Sequence, residues 1–278
     1  IGPYKPSEIA VDGGYSQKLG PSFSAGIAMR YIYSNLTNSI PLPNGTSTHP
    51  GTSFAVDIAM YYLNKKIKLE SKNAEVGAGL NVSNVGAKIS YTDNATAQSK
   101  DFIPIQMRLG GSLKIHLDET NTVTFLADFT KLLVPTPPRY KLDANGQKIP
   151  DGNGNFEIEA GKDPYRSVTS GIIGSFGDAP GGAKEELKEI NEALGMEYWY
   201  DNLVSFRMGY FHEDKTKGNR QYLTFGLGVK YSVFAIDMAY LVPLSQRNPL
   251  QNTLRFSLSF DFASAKKNSD SGSDKPPH

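Results

Sequence analysis

Apolar and polar residues alternate one by one along most of this chain, and that period admits few folds. From Ile105 the odd positions read Met107, Leu109, Gly111, Leu113, Ile115 and Leu117, while the even ones read Gln106, Arg108, Gly110, Ser112, Lys114 and His116. Leu254, Phe256, Leu258, Phe260 and Phe262 alternate in the same way with Arg255, Ser257, Ser259 and Asp261. Phe54, Val56, Ile58, Met60 and Tyr62 do so against Ala55, Asp57 and Ala59, and the stretches Leu223–Tyr231 and Val204–Tyr210 repeat the pattern. Successive side chains of a strand point to opposite faces, so each stretch reads as a strand with one apolar and one polar face.

The pattern predicts eleven strands, at about 8–18, 21–36, 52–63, 74–91, 102–117, 121–134, 195–201, 203–213, 221–233, 235–244 and 251–262. In the fourth, Val76, Ala78, Leu80 and Val82 share a face, but the apolar set resumes at Val85, Ala87, Ile89 and Tyr91. One extra residue near Ser83 and Asn84 restores the phase, which is what a β-bulge does.

Connections of two lengths separate these strands. Short ones fall at Leu19–Gly20, Asp118–Asn121, Asp201–Asn202 and Phe234, with Asn64–Asn73 somewhat longer. Between them lie the longer polar stretches Thr37–Gly51, Thr92–Asp101, Pro135–Leu194, Glu213–Arg220 and Ser245–Pro249. Short turns at one end and long loops at the other describe an antiparallel transmembrane β-barrel of the outer-membrane type. A soluble β-sandwich also alternates. Strands of 11–16 residues, against the roughly 5–6 usual in globular sheets, favour the barrel. So do tyrosines near strand ends, at Tyr31, Tyr33, Tyr62, Tyr91, Tyr210 and Tyr231, as in the aromatic girdles of membrane barrels.

Composition agrees once it is read through the alternation. The chain has 278 residues, with 29 Lys plus Arg against 28 Asp plus Glu, and no cysteine. Near-neutral charge argues against a nucleic-acid reader, and the missing thiols exclude a disulfide scaffold or a cysteine nucleophile. No apolar run approaches the ~18–20 residues of a membrane helix. The mean hydropathy of -0.37 averages two opposite faces and does not exclude a membrane barrel. The chain starts at Ile1 with no signal-peptide pattern. Bacterial single-chain barrels have even strand numbers, so the reading is the C-terminal portion of a larger barrel, residues 1–262, with upstream strands missing. Residues 263–278 form a polar tract that cannot bury a core and are expected to be a disordered tail.

The stretch 135–194 is too long for an idle connection and reads as an extracellular loop with helices. It opens on Pro135, Pro137 and Pro138, which extend the backbone, and continues with two turn signals at Asp143-Ala-Asn-Gly and Asp151-Gly-Asn-Gly-Asn. Asp151, Asn153, Asn155 and Glu157 alternate as calcium ligands do, but an EF-hand needs Gly and Glu where Phe156 and Lys162 stand. The expected structure is a pair of hydrated turns, with no metal. Farther on, Asp178, Pro180, Glu185 and Glu186 signal a helix start, with Leu187, Ile190 and Leu194 on one face. Tyr165 to Phe176 gives a second helix with Val168, Ile172 and Phe176 on one side. Tyr165, Val168, Ile172, Phe176, Leu187 and Ile190 are the candidate partner-binding residues; their plainer role is to cover the barrel mouth.

The polar faces carry Arg30, Asp57, Arg108, Lys114, Asp128, Arg207, Lys230, Asp237, Arg255 and Asp261. Both signs are present, which fits ion pairing in a polar lumen better than a selective pore. Catalysis has little support. Of His49, His116, His212 and His278, His116 falls within a strand on a polar face, and Ser112 lies about 13 Å along that strand at 3.3 Å per residue. That is too far for proton transfer, so the chain reads as no enzyme, with no catalytic residue and no cofactor.

Several segments resemble one family. Gly79-Leu-Asn-Val-Ser-Asn-Val-Gly-Ala-Lys-Ile-Ser-Tyr91, Lys131-Leu-Leu-Val-Pro-Thr-Pro137, Gly174-Ser-Phe-Gly-Asp-Ala-Pro-Gly-Gly182, Gly209-Tyr-Phe-His-Glu-Asp-Lys-Thr-Lys-Gly-Asn-Arg220 and Asn252-Thr-Leu-Arg-Phe-Ser-Leu258 are similar to PorV, the outer-membrane barrels of the Bacteroidetes type IX secretion system. The resemblance spans nearly the whole chain apart from its tail. It implies a FadL-like barrel of about fourteen strands and a non-enzymatic shuttle. Such a shuttle takes cargo, through its C-terminal signal domain, from the translocon barrel to a cell-surface attachment complex containing the PorU sortase-like protease. Outer-membrane lipids and lipopolysaccharide would surround it, and nucleic acid is not among its partners. A FadL-like channel for hydrophobic small molecules is the alternative.

Overall fold

The structure, a computed structural model, describes residues 5–36, 40–41, 45–92, 96, 99–244 and 253–260. Among these described residues it is all-β apart from two short helices. The strands are β1 (Ser7–Lys18), β2 (Phe23–Asn35), β3 (Gly51–Leu69), β4 (Lys72–Gly86), β5 (Ile89–Ser90), β6 (Lys100–Asp101), β7 (Gln106–His116), β8 (Asn121–Leu132), β9 (Arg139–Tyr140), β10 (Ile158–Ala160), β11 (Ile190–Tyr200), β12 (Val204–His212), β13 (Gln221–Tyr231), β14 (Phe234–Pro243) and β15 (Leu254–Phe260). The helices are α1 (Val168–Gly174) and α2 (Ala183–Lys188).

Eleven strands form one sheet in the order β1-β2-β3-β4-β7-β8-β11-β12-β13-β14-β15, and the pairs β9–β10 and β5–β6 stand apart from it. In the main sheet each strand lies beside the next in sequence, as an up-and-down meander requires. Register keeps like with like. Val11 faces Tyr31 and Tyr15 faces Ile27 across β1–β2, and Leu227 faces Met238 and Val229 faces Ile236 across β13–β14. On the alternate positions Asp12 faces Arg30, Glu197 faces Arg207 and Gly228 faces Asp237.

The short connections are built as turn chemistry dictates. Between β11 and β12, Asp201 and Asn202 both have positive φ, 49° and 52°, the type I′ combination that suits strand twist. The β13–β14 turn falls at Ser232–Val233, with Ser232 at φ 54°, and Phe234 opens β14 instead of forming the turn. Asn64–Asn73 is not a connection at all: β3 runs on to Leu69 and β4 begins at Lys72, with Glu70 at φ 55° in the turn. Alternation had continued through Lys66 and Lys68, but lysines on the otherwise apolar register hid it.

Three further boundaries differ from the sequence reading. The fourth strand ends at Gly86, and Ile89–Ser90 pairs with Lys100–Asp101 outside the main sheet. Asn84 has φ 59° at the point where the pattern changes phase, the left-handed backbone that bulges use. Residues 102–105 are not strand, and β7 starts at Gln106. The predicted helix through Leu194 stops at Lys188, and Ile190 opens β11. The four-residue spacing of Ile190 and Leu194 is even, so it satisfies a strand as well as a helix. The loop 245–249, Asp261, His278 and the tail 263–278 lie outside the described residues.

The chain divides into two compact units, one comprising 1–62, 79–109 and 129–190, the other 63–78, 110–128 and 191–278. The first holds an apolar cluster of buried residues, Ala55, Ile89, Ile103, Ile105 and Leu133. The second holds Arg207 between Glu197 and Asp237 and above the Trp199 ring. It also holds the β7–β8 turn, where the Asp118 carboxylate accepts from the Asn121 side-chain amide at 2.8 Å and from the backbone N–H of Thr120 and Asn121 at 2.9 and 2.7 Å. The Asn121 amide above all, then the two N–H groups, hold Asp118 down to about 2.

A carboxylate depressed in the folded state stabilises it above the unfolded pKa of about 3.9 and loses that contribution as pH falls through about 2. Asp118→Ala is therefore expected to lower the heat-unfolding midpoint at pH 6, with the gap from the parent closing between pH 4 and pH 2. A gap independent of pH would contradict this.

Candidate partner-docking surface

The long connection from β8 to β11 is anchored at both ends by buried polar contacts within the first unit. Lys131, near the end of β8, has a side chain only 6% exposed. Its Nζ donates to Glu186 Oε2 at 3.0 Å and Glu189 Oε2 at 2.6 Å. Thr136 Oγ1 donates to the other oxygen of Glu189 at 2.8 Å. Glu186 uses its second oxygen to accept the backbone N–H of Asp178 at 2.7 Å and of Ala179 at 2.8 Å. Asp178 is fully buried; it takes Arg166 as its ion-pair partner and accepts from Thr136 N–H. A buried charge is tolerable only with its partners in place, so this network holds the loop's return against its entry.

Apolar packing adds a second fastening. Ile103 and Ile105 are buried under the end of β8, with Leu133 N–H donating to the Ile105 carbonyl at 2.8 Å. Helix α1, capped by the Ser167 hydroxyl on Ser170 N–H, lays Val168 and Ile172 onto that cluster. Gly171 lets it come close: a Cβ there would stand 2.6 Å from Phe102 Cζ. Lys88 reaches from the other side, 4.3 Å above the Phe102 ring, and donates to the Tyr165 carbonyl at 3.1 Å. Burial pulls its pKa down.

These contacts divide the six candidate docking residues. Val168 and Ile172 are turned into the cluster and cover it. Tyr165 is half-buried and held through its carbonyl, and Ile190 is the first residue of β11. Phe176 and Leu187 remain exposed, at 54% and 69%. Ile173, at 71% exposed, completes the set; it escaped sequence reading because it lies off the helical stripe, and an apolar residue off the stripe was the available signal. Asp178, read as a helix cap, is instead the buried anion of the network, and Gly182, at φ 67°, caps α2.

The tip of the loop is a compact ribbon. Lys141 N–H donates to Glu157 O, Glu157 N–H to Ile149 O and Ile149 N–H to Lys141 O, at 2.9, 2.9 and 3.1 Å, a three-way junction carrying two hairpin lobes. Each lobe closes on an aspartate: Asp143 accepts from Asn145 and Gln147 N–H, and Asp151 from Asn153 and Asn155 N–H. Gly146 and Gly154 supply φ 79° and 85°. Asp151 is thus turned onto its own backbone, and Glu157 pairs with Lys141 at 2.9 Å, which raises the Lys141 pKa. The shorter loop 213–220 is closed by Arg220 bound bidentately to the buried Glu213, at 2.7 and 2.8 Å. That bond raises the Arg220 pKa.

The polar face shows charges paired across strands. Arg30 meets Asp12 at 2.5 Å and Asp57 at 3.5 Å and donates to Asn84. Arg207 meets Glu197 and Asp237. Asp128 sits over Gly110, where a side chain would collide with it. Arg108 and Lys114 lie on β7, Lys230 on β13 and Arg255 on β15. His116 is 3.0 Å from Glu75 on β4, a partner that the sequence reading did not foresee.

Removing the Lys131 ammonium leaves two largely buried carboxylates without their cation, a loss of about 3–5 kcal/mol. Lys131→Ala is expected to make the segment 135–189 a fast substrate for limited proteolysis while the strands stay protected. Equal cleavage rates in parent and variant would show that the network does not hold the loop.

No curated protein matches the chain. The family model described as type IX secretion system protein PorV matches residues 3–139, which takes in β1 to β8 and the fastened entry of the long loop. Those residues include the segments from Gly79 and from Lys131, and the structure brings the second of these, through the Thr136 N–H on Asp178, against the segment from Gly174. Over these residues, just under half of its length, the chain is similar to the PorV family of type IX secretion system proteins.

Proposed function

We propose that the chain is a barrel-forming outer-membrane component of the secretion system, without enzymatic activity, that carries secreted proteins from the translocon to the cell-surface attachment complex. The observation that carries the membrane part is the exposed apolar face of the sheet. Phe54, Met29 and Tyr231 are 70%, 67% and 75% exposed, and Ile9, Val11 and Tyr15 on β1 and Phe225, Leu227 and Val229 on β13 keep the same alternation. Soluble proteins rarely leave apolar patches above a few hundred Å² uncovered. A bilayer core needs tilted strands of about 9–11 residues, which most strands of the sheet provide, and closure would remove the open edges. In the proposed arrangement the eleven strands of the main sheet belong to the barrel wall.

On this reading the long connections face the exterior, and 135–194 is the contact element. Ile173, Phe176 and Leu187 are apolar residues presented on a fastened base, the form that interface anchors take. Their partners would be the translocon barrel, the C-terminal signal domain of cargo and the PorU-like sortase. Outer-membrane lipids and lipopolysaccharide would surround the strands. A second reading, a FadL-like channel for hydrophobic molecules, is favoured by a cleft of about 620 Å³ in the first unit, lined by Ile32, Ile89, Phe102 and Ile103 with Arg30 beside them.

Ile173→Ser, Phe176→Ser and Leu187→Ser combined should lower co-purification of cargo and translocon from native membranes by about tenfold or more, with unchanged heat-modifiable gel mobility. Undiminished recovery would overturn the docking role, and fatty-acid uptake by liposomes carrying the protein would favour the channel.

A further inference from the structure

We infer that the tip of the β3–β4 hairpin is a binding site for the phosphate headgroups of anionic glycerophospholipids in the leaflet at the short-turn end of the sheet; this rests on the membrane reading above. Lys66, Lys68 and Lys72 fall within seven residues of the hairpin and are all exposed. With Asn73, His116, Asp118 and Glu119 they line an open cleft of about 870 Å³.

What identifies the ligand is the face on which the charges lie. Along β3 the apolar positions are Phe54, Val56, Ile58, Met60 and Tyr62, and the same alternate register continues through Asn64 to Lys66 and Lys68. Along β4, Lys72 shares its register with Ala74, Val76, Ala78 and Leu80. The face that would meet acyl chains therefore turns cationic just past a tyrosine, with no break in either strand. Lys66 is four residues beyond Tyr62, about 13 Å along the strand and roughly 9 Å along the membrane normal at a 45° tilt. The headgroup layer is about 5–8 Å thick per leaflet, and a lysine's apolar stem lets its ammonium reach back into that layer. A site for a soluble acidic partner would have no reason to share the lipid-facing register. Lys65 lies on the opposite register and stands 4.0 Å from Glu75, so it serves as an internal control.

The test uses the full chain in phosphatidylcholine bilayers at low salt, with spin-labelled phosphatidylcholine or phosphatidylglycerol as probe. An immobilised component from the phosphatidylcholine probe reports insertion itself; its absence would sink the membrane reading and this inference with it. Given insertion, the parent is expected to prefer phosphatidylglycerol by about three- to tenfold, with the preference collapsing at high salt. Lys66→Gln, Lys68→Gln and Lys72→Gln combined should bring the ratio to near one, and Lys65→Gln should leave it unchanged. Insertion with no preference in the parent, or a preference surviving the triple variant, would overturn the headgroup site alone. Loss of the preference on adding free glycerophosphate would reassign the site to a soluble phosphate ligand and would equally overturn it.

Discussion

Along most of the length of eleven strands every second residue is apolar, and among the described residues the chain leaves most of that face uncovered. This constraint governs the rest of the structure. The apolar register needs a non-aqueous neighbour, and the polar register must satisfy its charges among themselves. It does so with pairs set directly across strands, Asp12 with Arg30 and Glu197 with Arg207, and with small residues such as Gly226 and Gly228 beside Arg207 that leave it room. Balanced net charge, one positive overall, follows from the same pairing.

The long loop obeys a different rule. Its exposed apolar residues can be displayed only because the segment beneath them is held by charge: Lys131 between Glu186 and Glu189, and Arg166 against Asp178. Such buried pairs add little net stability compared with apolar packing, but breaking one is costly, so they fix a single arrangement. The loop thus combines a fixed base with an exposed apolar crest, the arrangement that the proposed docking role calls for.

Strands were legible because period two is a direct image of strand geometry. All eleven appeared in the sequence, down to the phase change at Asn84. Boundaries failed where the pattern was ambiguous for a physical reason: lysines on the apolar register at 66 and 68, and the even spacing of Ile190 and Leu194, which suits either secondary structure. The candidate docking residues were harder to read. Helical spacing correctly grouped Val168 and Ile172, but grouping does not say which way a short amphipathic helix turns. Only the cluster of Ile89, Ile103 and Ile105, assembled from distant parts of the chain, decides that they face inward and that Ile173 faces out. The partners of Lys131 lie 55 and 58 residues away, a separation that local pattern cannot bridge.

The central claim, that the apolar register of the sheet meets lipid, has a direct test because the chain has no cysteine. Single cysteines placed at successive positions from Thr224 to Val229 on β13, each carrying an environment-sensitive fluorophore, can be quenched by bromine-labelled acyl chains in a reconstituted bilayer. Strong quenching at Phe225, Leu227 and Val229 with little at Thr224, Gly226 and Gly228 is the predicted result. Quenching that is uniform along the strand, or absent throughout, would contradict it.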